Sequence, residues 1–134
     1  MANKVSVLPN NLEAEQALLG CLLIDVETQT DILDKLSEDD FYQESHKLII
    51  GAMKAVFNAR KPVDLVTLAD QLETDKSLDK AGGLSYITDL AQITPSAANY
   101  KYYLEILKRD SINRRLIRAS QDIIEMAQNS SDCS

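Results

Sequence analysis

The sequence predicts an all-α protein: a compact head of about five short helices, followed by one long helical arm. Three observations carry that prediction. Apolar residues recur at three- and four-residue spacing through most of the 134-residue chain. No segment shows the two-residue alternation of a strand. After residue 95 neither glycine nor proline occurs, so nothing interrupts the last helix.

Residues 1–8 are expected to be a flexible arm, and the head to span residues 9–95. Its first helix is read in NNLEAEQALLGCLLID, with Asn10 as the cap and Glu13 as its reciprocal partner. Leu12, Leu18, Leu19, Leu22 and Leu23 form its apolar stripe. Gly20 in mid-helix costs about 1 kcal/mol against alanine, which points to close packing by another helix. A short helix over 27–36 brings Ile32, Leu33 and Leu36 inward. Ser45 is expected to cap the next helix, HKLIIGAMKAVFNAR, whose stripe of Leu48, Ile49, Ala52, Met53, Val56 and Phe57 is wide enough for a central position. Lys61-Pro62 breaks the chain, and Asp64 caps a helix with Leu65, Leu68 and Leu72 inward. Gly82 and Gly83 permit a sharp reversal before a short helix that starts at the turn or at Ser85 and holds Tyr86, Ile87 and Leu90.

Thr94 as cap and Pro95 at the first helical position place the start of the arm near residue 96 and its end near 129. Tyr100, Tyr103, Leu104 and Leu107 form one face of it. Ile112, Leu116, Ala119, Ile123 and Met126 then follow at spacings of four, three, four and three, a heptad rhythm. Ile117 and Ile124 widen this seam. The head reaches the first group of residues but not Ile123 or Met126, and residues 130–134 are read as a tail without a returning helix. The arm is therefore expected to be an association surface, and the chain a piece of a longer protein.

Composition excludes several functions. The net charge is −7, whereas phosphate binding needs clustered lysine and arginine. Residues 1–100 carry 8 basic and 16 acidic side chains and residues 101–134 carry 6 and 5, so only the arm is slightly basic. Its run Lys108, Arg109, Arg114, Arg115, Arg118 reads as a solvated or partner-facing flank of the seam, with a phosphate contact as the alternative. Glu38-Asp39-Asp40 reads as a solvated turn, with a metal site as the alternative. His46 is the one histidine and is expected to be structural, packed in the core or completing a cap. No phosphate loop, dinucleotide fingerprint, zinc spacing or nucleophile triad is present. Cys21 lies in an apolar run and Cys133 in the polar tail, which suits a reducing cytoplasm. No apolar run is long enough to span a membrane.

Five stretches, in order, bear a resemblance: LEAEQALLGCLLID, DDFYQESHKLIIGAM, PVDLVTLADQL, AGGLSYITDL and AANYKYYLEILKRDSINRRLI. Together they resemble the N-terminal domain of the bacterial replicative DNA helicase of the DnaB type, over residues 9 to 128. The resemblance implies a parent that is a ring-shaped hexamer, unwinding the replication fork with ATP. Its RecA-like motor, with the ATP and Mg sites, would lie further along the chain, so no cofactor and no enzymatic activity are expected in these residues. It also implies a collar, a trimer of dimers, in which a helical hairpin makes the dimer contact and which recruits primase through primase's helical C-terminal domain. On that basis residues 97–129 correspond to the first part of the hairpin. Ile112, Leu116, Ala119, Ile123, Ile124 and Met126 are expected to form the dimer seam, and Tyr86, Ile117 and Ile123 to be candidate primase contacts. A helicase loader is a further candidate partner. Little direct DNA binding, no membrane and a bacterial cytoplasmic location at the fork are expected. Two other readings remain open: a helix-turn-helix over 64–90 that binds nucleic acid, and a stand-alone helicase loader or regulator.

Overall fold

The computed structural model describes residues 7–131, and these contain helices and no strand. The expected flexible arm falls mostly outside them, as do the tail residues 132–134 with Cys133. The α-helices are α1 (Leu12–Ile24), α2 (Val26–Ile32), α3 (Glu44–Asn58), α4 (Leu65–Thr74), α5 (Gly83–Gln92) and α6 (Tyr100–Ser131). Single 3-10 turns at Leu33–Lys35 and Glu38–Asp40 link α2 to α3.

Three helix starts differ from expectation. The cap of α1 is Asn11, whose side chain accepts from the Ala14 amide at 3.0 Å; Asn10 donates instead to the Leu8 carbonyl. Either of two adjacent asparagines satisfies the same sequence rule. At α3, Gln43 occupies the cap position without a side-chain bond, and Ser45 lies inside the helix. The Glu15 carboxylate reaches across from α1 to accept from the Tyr42 and Gln43 amides, so a distant residue does what a local cap does elsewhere. At α6, the helix begins at Tyr100 rather than near 96. Thr94 donates to the Leu90 carbonyl and thereby closes the end of α5.

The ends are regular in a different way. Arg60 and Lys76 take positive φ just beyond α3 and α4. In each case the next amide reaches back to the third-last helical carbonyl, Lys61 to Val56 and Ser77 to Leu72. These are Schellman caps built without glycine. Asp64 and Thr67 cap α4 reciprocally, as expected of Asp64. Gly82 and Gly83 both have positive φ, and α5 starts at the turn itself.

The core joins Leu18, Leu19 and Leu22 of α1, Ile49, Ile50 and Met53 of α3, Leu68 and Leu72 of α4, and Ile87 and Leu90 of α5. Fully burying each such side chain contributes about 1.5–3 kcal/mol. Helix α1 is central: it packs on α5 and α6. Gly20 allows that contact, because a Cβ there would stand 1.9 Å from Thr94 Oγ1 and 2.6 Å from the Leu90 carbonyl oxygen. The close packing that the sequence suggests is thus against the C-terminal end of α5.

Candidate association surface and its anchor

Helix α6 has 32 residues and, at 1.5 Å per residue, is about 48 Å long. Only its first half is covered by the head. Leu107 is buried there, with Tyr100, Tyr103 and Leu104 packed against the core. The inward line then continues in polar residues: Asp110, Ser111 and Arg114 are all buried.

Arg114 is 2% exposed. Its guanidinium donates to the carbonyls of Pro9 (2.9 Å), Asp39 (3.3 Å) and Asp40 (3.1 Å) and lies over the ring of Tyr42. Asp40, 1% exposed, is the hub beside it. One carboxylate oxygen accepts from Lys108 Nζ at 2.8 Å and the Ser37 amide at 2.9 Å; the other accepts from Ser111 at 2.8 Å and Arg115 at 2.9 Å. Burial acts to raise the Asp40 pKa, but the bonds from Lys108, Ser37 and Ser111 outweigh it and hold the carboxyl below its usual range. The turn Glu38–Asp40 is therefore an anchor point for α6: Glu38 and Asp39 are exposed, as a solvated turn requires, but Asp40 is buried. Lys108, Arg114 and Arg115 bond to that anchor, but of the basic run only Arg114 is buried; Arg115, Arg118 and Arg109, which pairs with Asp110, are exposed, as a solvated flank requires.

Past Arg114 the helix leaves the head. Ile112, Leu116, Ile123, Ile124 and Met126 are all exposed, Met126 to 69%; Ala119 is exposed and Ile117 marginally so. At about 100° per residue these side chains form two lines. Ile112, Leu116, Ala119, Ile123 and Met126 share one, about 150° around the helix from Leu107 and Arg114, so it faces away from the head. Ile117 and Ile124 form a second, about 130° from the first.

Tyr86 sits elsewhere, on α5 inside the head. Its hydroxyl donates to His46 Nε2 at 2.6 Å, and Nδ1–H of His46 donates to Glu15 at 2.7 Å. Gln16 donates to the Tyr86 oxygen at 3.2 Å. The ring stacks on His46, and a Cβ on Gly82 would stand 2.6 Å from it. His46 is fully buried, as a structural histidine. The structure thus places Tyr86 in an internal network and Ile117 and Ile123 on the projecting arm.

Two groups escaped the sequence reading, and both left a trace. Glu15 lies three, four and seven residues before Leu18, Leu19 and Leu22. Asp110, Ser111 and Arg114 continue the spacing of Leu107. In both cases a polar residue stands on an apolar line, a signature of a buried polar contact.

No group of three or more His, Cys, Asp or Glu among the described residues is arranged to hold a metal ion. No helix there is long and apolar enough to cross a membrane. Helices α4 and α5 are separated by residues 75–82, longer than a helix-turn-helix turn, and α5 carries no lysine or arginine.

Residues 7–109 match the model of the DnaB-like helicase N-terminal domain. The chain belongs to that family. It is 43% identical over 117 residues to the replicative DNA helicase DnaC of Bacillus subtilis and 39% identical over 117 residues to the replicative DNA helicase DnaB of Geobacillus stearothermophilus. Each match takes 87% of this chain and 26% of the relative, so this DnaB-like domain spans about a quarter of those proteins. Its fold matches the crystal structure of the N-terminal domain of DnaB helicase from Mycobacterium tuberculosis, with a TM-score of 0.85, 31% identity, and coverage of 91% of this chain and 85% of that one. It also matches a DnaB-like replicative helicase whose structure describes its interactions with primase, with a TM-score of 0.79, 27% identity, and coverage of 88% and 28%.

Proposed function

We propose that this domain is the collar of a hexameric replicative DNA helicase, where it joins subunits into a ring and receives primase. The carrying observation is the projecting half of α6: an apolar line exposed on the side away from the head, held in direction by the Asp40 and Arg114 anchor. An exposed apolar line of this length marks a protein contact. The family match supports the collar reading, and the structural relative described with primase supports the choice of partner. Chemistry is assigned to the parent's motor: ATP and Mg act there, and this domain positions subunits and partners. Of the candidate primase contacts, Ile123 is the most open to solvent, at 65% exposed, and Ile117 stands on the second line of the arm at 37%; Tyr86 would act through the network that shapes the α1–α5 surface.

The test is a calorimetric titration with the C-terminal domain of the same organism's primase, with molar mass measured by light scattering in the same buffer. Saturable binding at one primase domain per two chains is expected. A dimer that binds no primase would remove the recruitment role and leave ring assembly.

A further inference from the structure

Helices α4 and α5 pack together and leave a groove of about 380 Å³ between them. Leu65, Val66 and Ala69 line it from α4, and Leu84 and Thr88 from α5. The Thr88 hydroxyl donates to the Leu84 carbonyl at 2.8 Å, so its hydrogen is taken up inside α5. Val66 is 77% exposed, more than any other large apolar side chain among the described residues, and Leu84 is 55% exposed. The core takes the other sides of these helices through Leu68, Leu72, Ile87 and Leu90. Val66 and Leu84 therefore stand outside a core that is complete without them. The remaining lining residues are Asp70 and Glu73, and no lysine or arginine lines the groove. Neither carboxylate pairs with a cation among the described residues. Glu73 lies near the end of α4, whose last turn carries no basic side chain, so it meets the helix's own negative end without an offsetting charge. Lys61 lines the adjoining groove beyond Val66 and Asp70, which leaves the Glu73 end the more negative.

We infer that this groove receives a cationic amphipathic helix of another protein, with apolar side chains at three- and four-residue spacing and lysine or arginine along one flank. The furrow between two packed helices takes the apolar ridge of a third. Asp70 and Glu73 then meet the cationic flank. Other occupants fit less well. The described residues offer no strand edge for an extended peptide. Unpaired carboxylates repel phosphate, whether of nucleic acid or of an anionic membrane. Residues 1–100 carry 16 acidic and 8 basic side chains, so the whole head steers a cationic partner inward. Helix α4 has 10 residues and is about 15 Å long. The contact is therefore two to three turns of helix, small enough to be weak and reversible. None of its lining residues belongs to the arm or to the Tyr86 network, so the site stands apart from the association and primase readings.

The probe is a peptide of about fourteen residues, with leucine at helical spacing and lysine elsewhere, titrated into the nitrogen-15-labelled chain. Saturable amide shifts confined to residues 65–73 and 84–88 are expected, with a dissociation constant on the order of 100 µM. Val66→Arg with Leu84→Arg is expected to weaken binding at least about tenfold, because it removes the apolar contact and repels the lysines. Both side chains are exposed, so the thermal midpoint of that variant is expected to stay unchanged in circular dichroism. Asp70→Asn with Glu73→Gln is expected to weaken binding about fivefold and to flatten its salt dependence. The same peptide with glutamate in place of lysine is expected not to bind. Equal binding of the two peptides would overturn the inference, as would shifts centred on residues 112–126 or shifts that never saturate. The primase C-terminal domain supplies the last arm. If Val66→Arg with Leu84→Arg abolished its binding too, the groove would belong to the primase surface, and a separate partner would be ruled out.

Discussion

The two halves of α6 are one unbroken helix held on different terms. The half from Tyr100 to Arg115 is fixed by the head through Leu107, three guanidinium–carbonyl bonds and the bonds of Lys108, Ser111 and Arg115 to one carboxylate. The half beyond leaves five large apolar side chains exposed, with Ile117 at the margin. The same 3.6-residue geometry serves both. What differs is which side of the helix has a partner among the described residues. The lesson is that a long helix can be a rigid pointer: one end is specified by polar contacts that tolerate no slippage, and the other is free to be read by something else.

The most severe way to break this contrast is at the hub. Asp40→Ala strands Lys108, Ser111 and Arg115 around an empty acceptor and is expected to cost about 3 kcal/mol. That corresponds to a fall in the thermal midpoint on the order of 10 °C, read by circular dichroism. An unchanged midpoint would mean that Asp40 does not hold the arm. Next is Arg114→Met, which keeps the length of the side chain but leaves the carbonyls of Pro9, Asp39 and Asp40 without their donor. About 2–3 kcal/mol of stability is expected to go, with faster amide exchange over residues 103–114 and little change beyond 118. Gly20→Ala forces Thr94 and the end of α5 away from α1, at a cost of about 2 kcal/mol, seen as a lower urea midpoint.

Acid sharpens the contrast more gently. The Asp40 carboxyl is held below its ordinary value in the fold. Its stabilising contribution is therefore complete above the unfolded value, near 3.9, and is lost as pH falls through the lower folded value. Amide protection in the first half of α6 is expected to drop below about pH 4 relative to pH 7, whereas the projecting half responds only to its own fraying. The smallest effect on stability comes from Ile123→Gln on the projecting half, within about 0.5 kcal/mol. The same change is expected to weaken self-association in sedimentation runs, so stability and association separate cleanly between the two halves.

Much of this was legible in the residues. The periodicity placed every helix, because an apolar stripe has to face a core. Gly20 announced a close helix contact and Asp64 announced a start, since both act through their immediate backbone. The rhythm of Ile112 to Met126 marked an apolar seam, because the head reaches only the first group of apolar residues on the arm. The anchor was not legible in this way. Glu38-Asp39-Asp40 and the basic run read as ordinary surface, and only their meeting across some seventy residues gathered Lys108, Ser111 and Arg115 around the buried Asp40 carboxylate. Tyr86, too, read as a candidate partner contact, and only the fold sets His46 and Gln16 against its hydroxyl.

By itself, then, the sequence determined the helical class, the order of the elements, the long arm and its apolar rhythm, because local propensity and hydrophobic spacing act over a few residues. Only the tertiary structure decided where the arm points, which charges are buried, and which helix starts borrow their caps from elsewhere. A buried charge is stable only beside its partner, and the partner's position is a property of the whole fold.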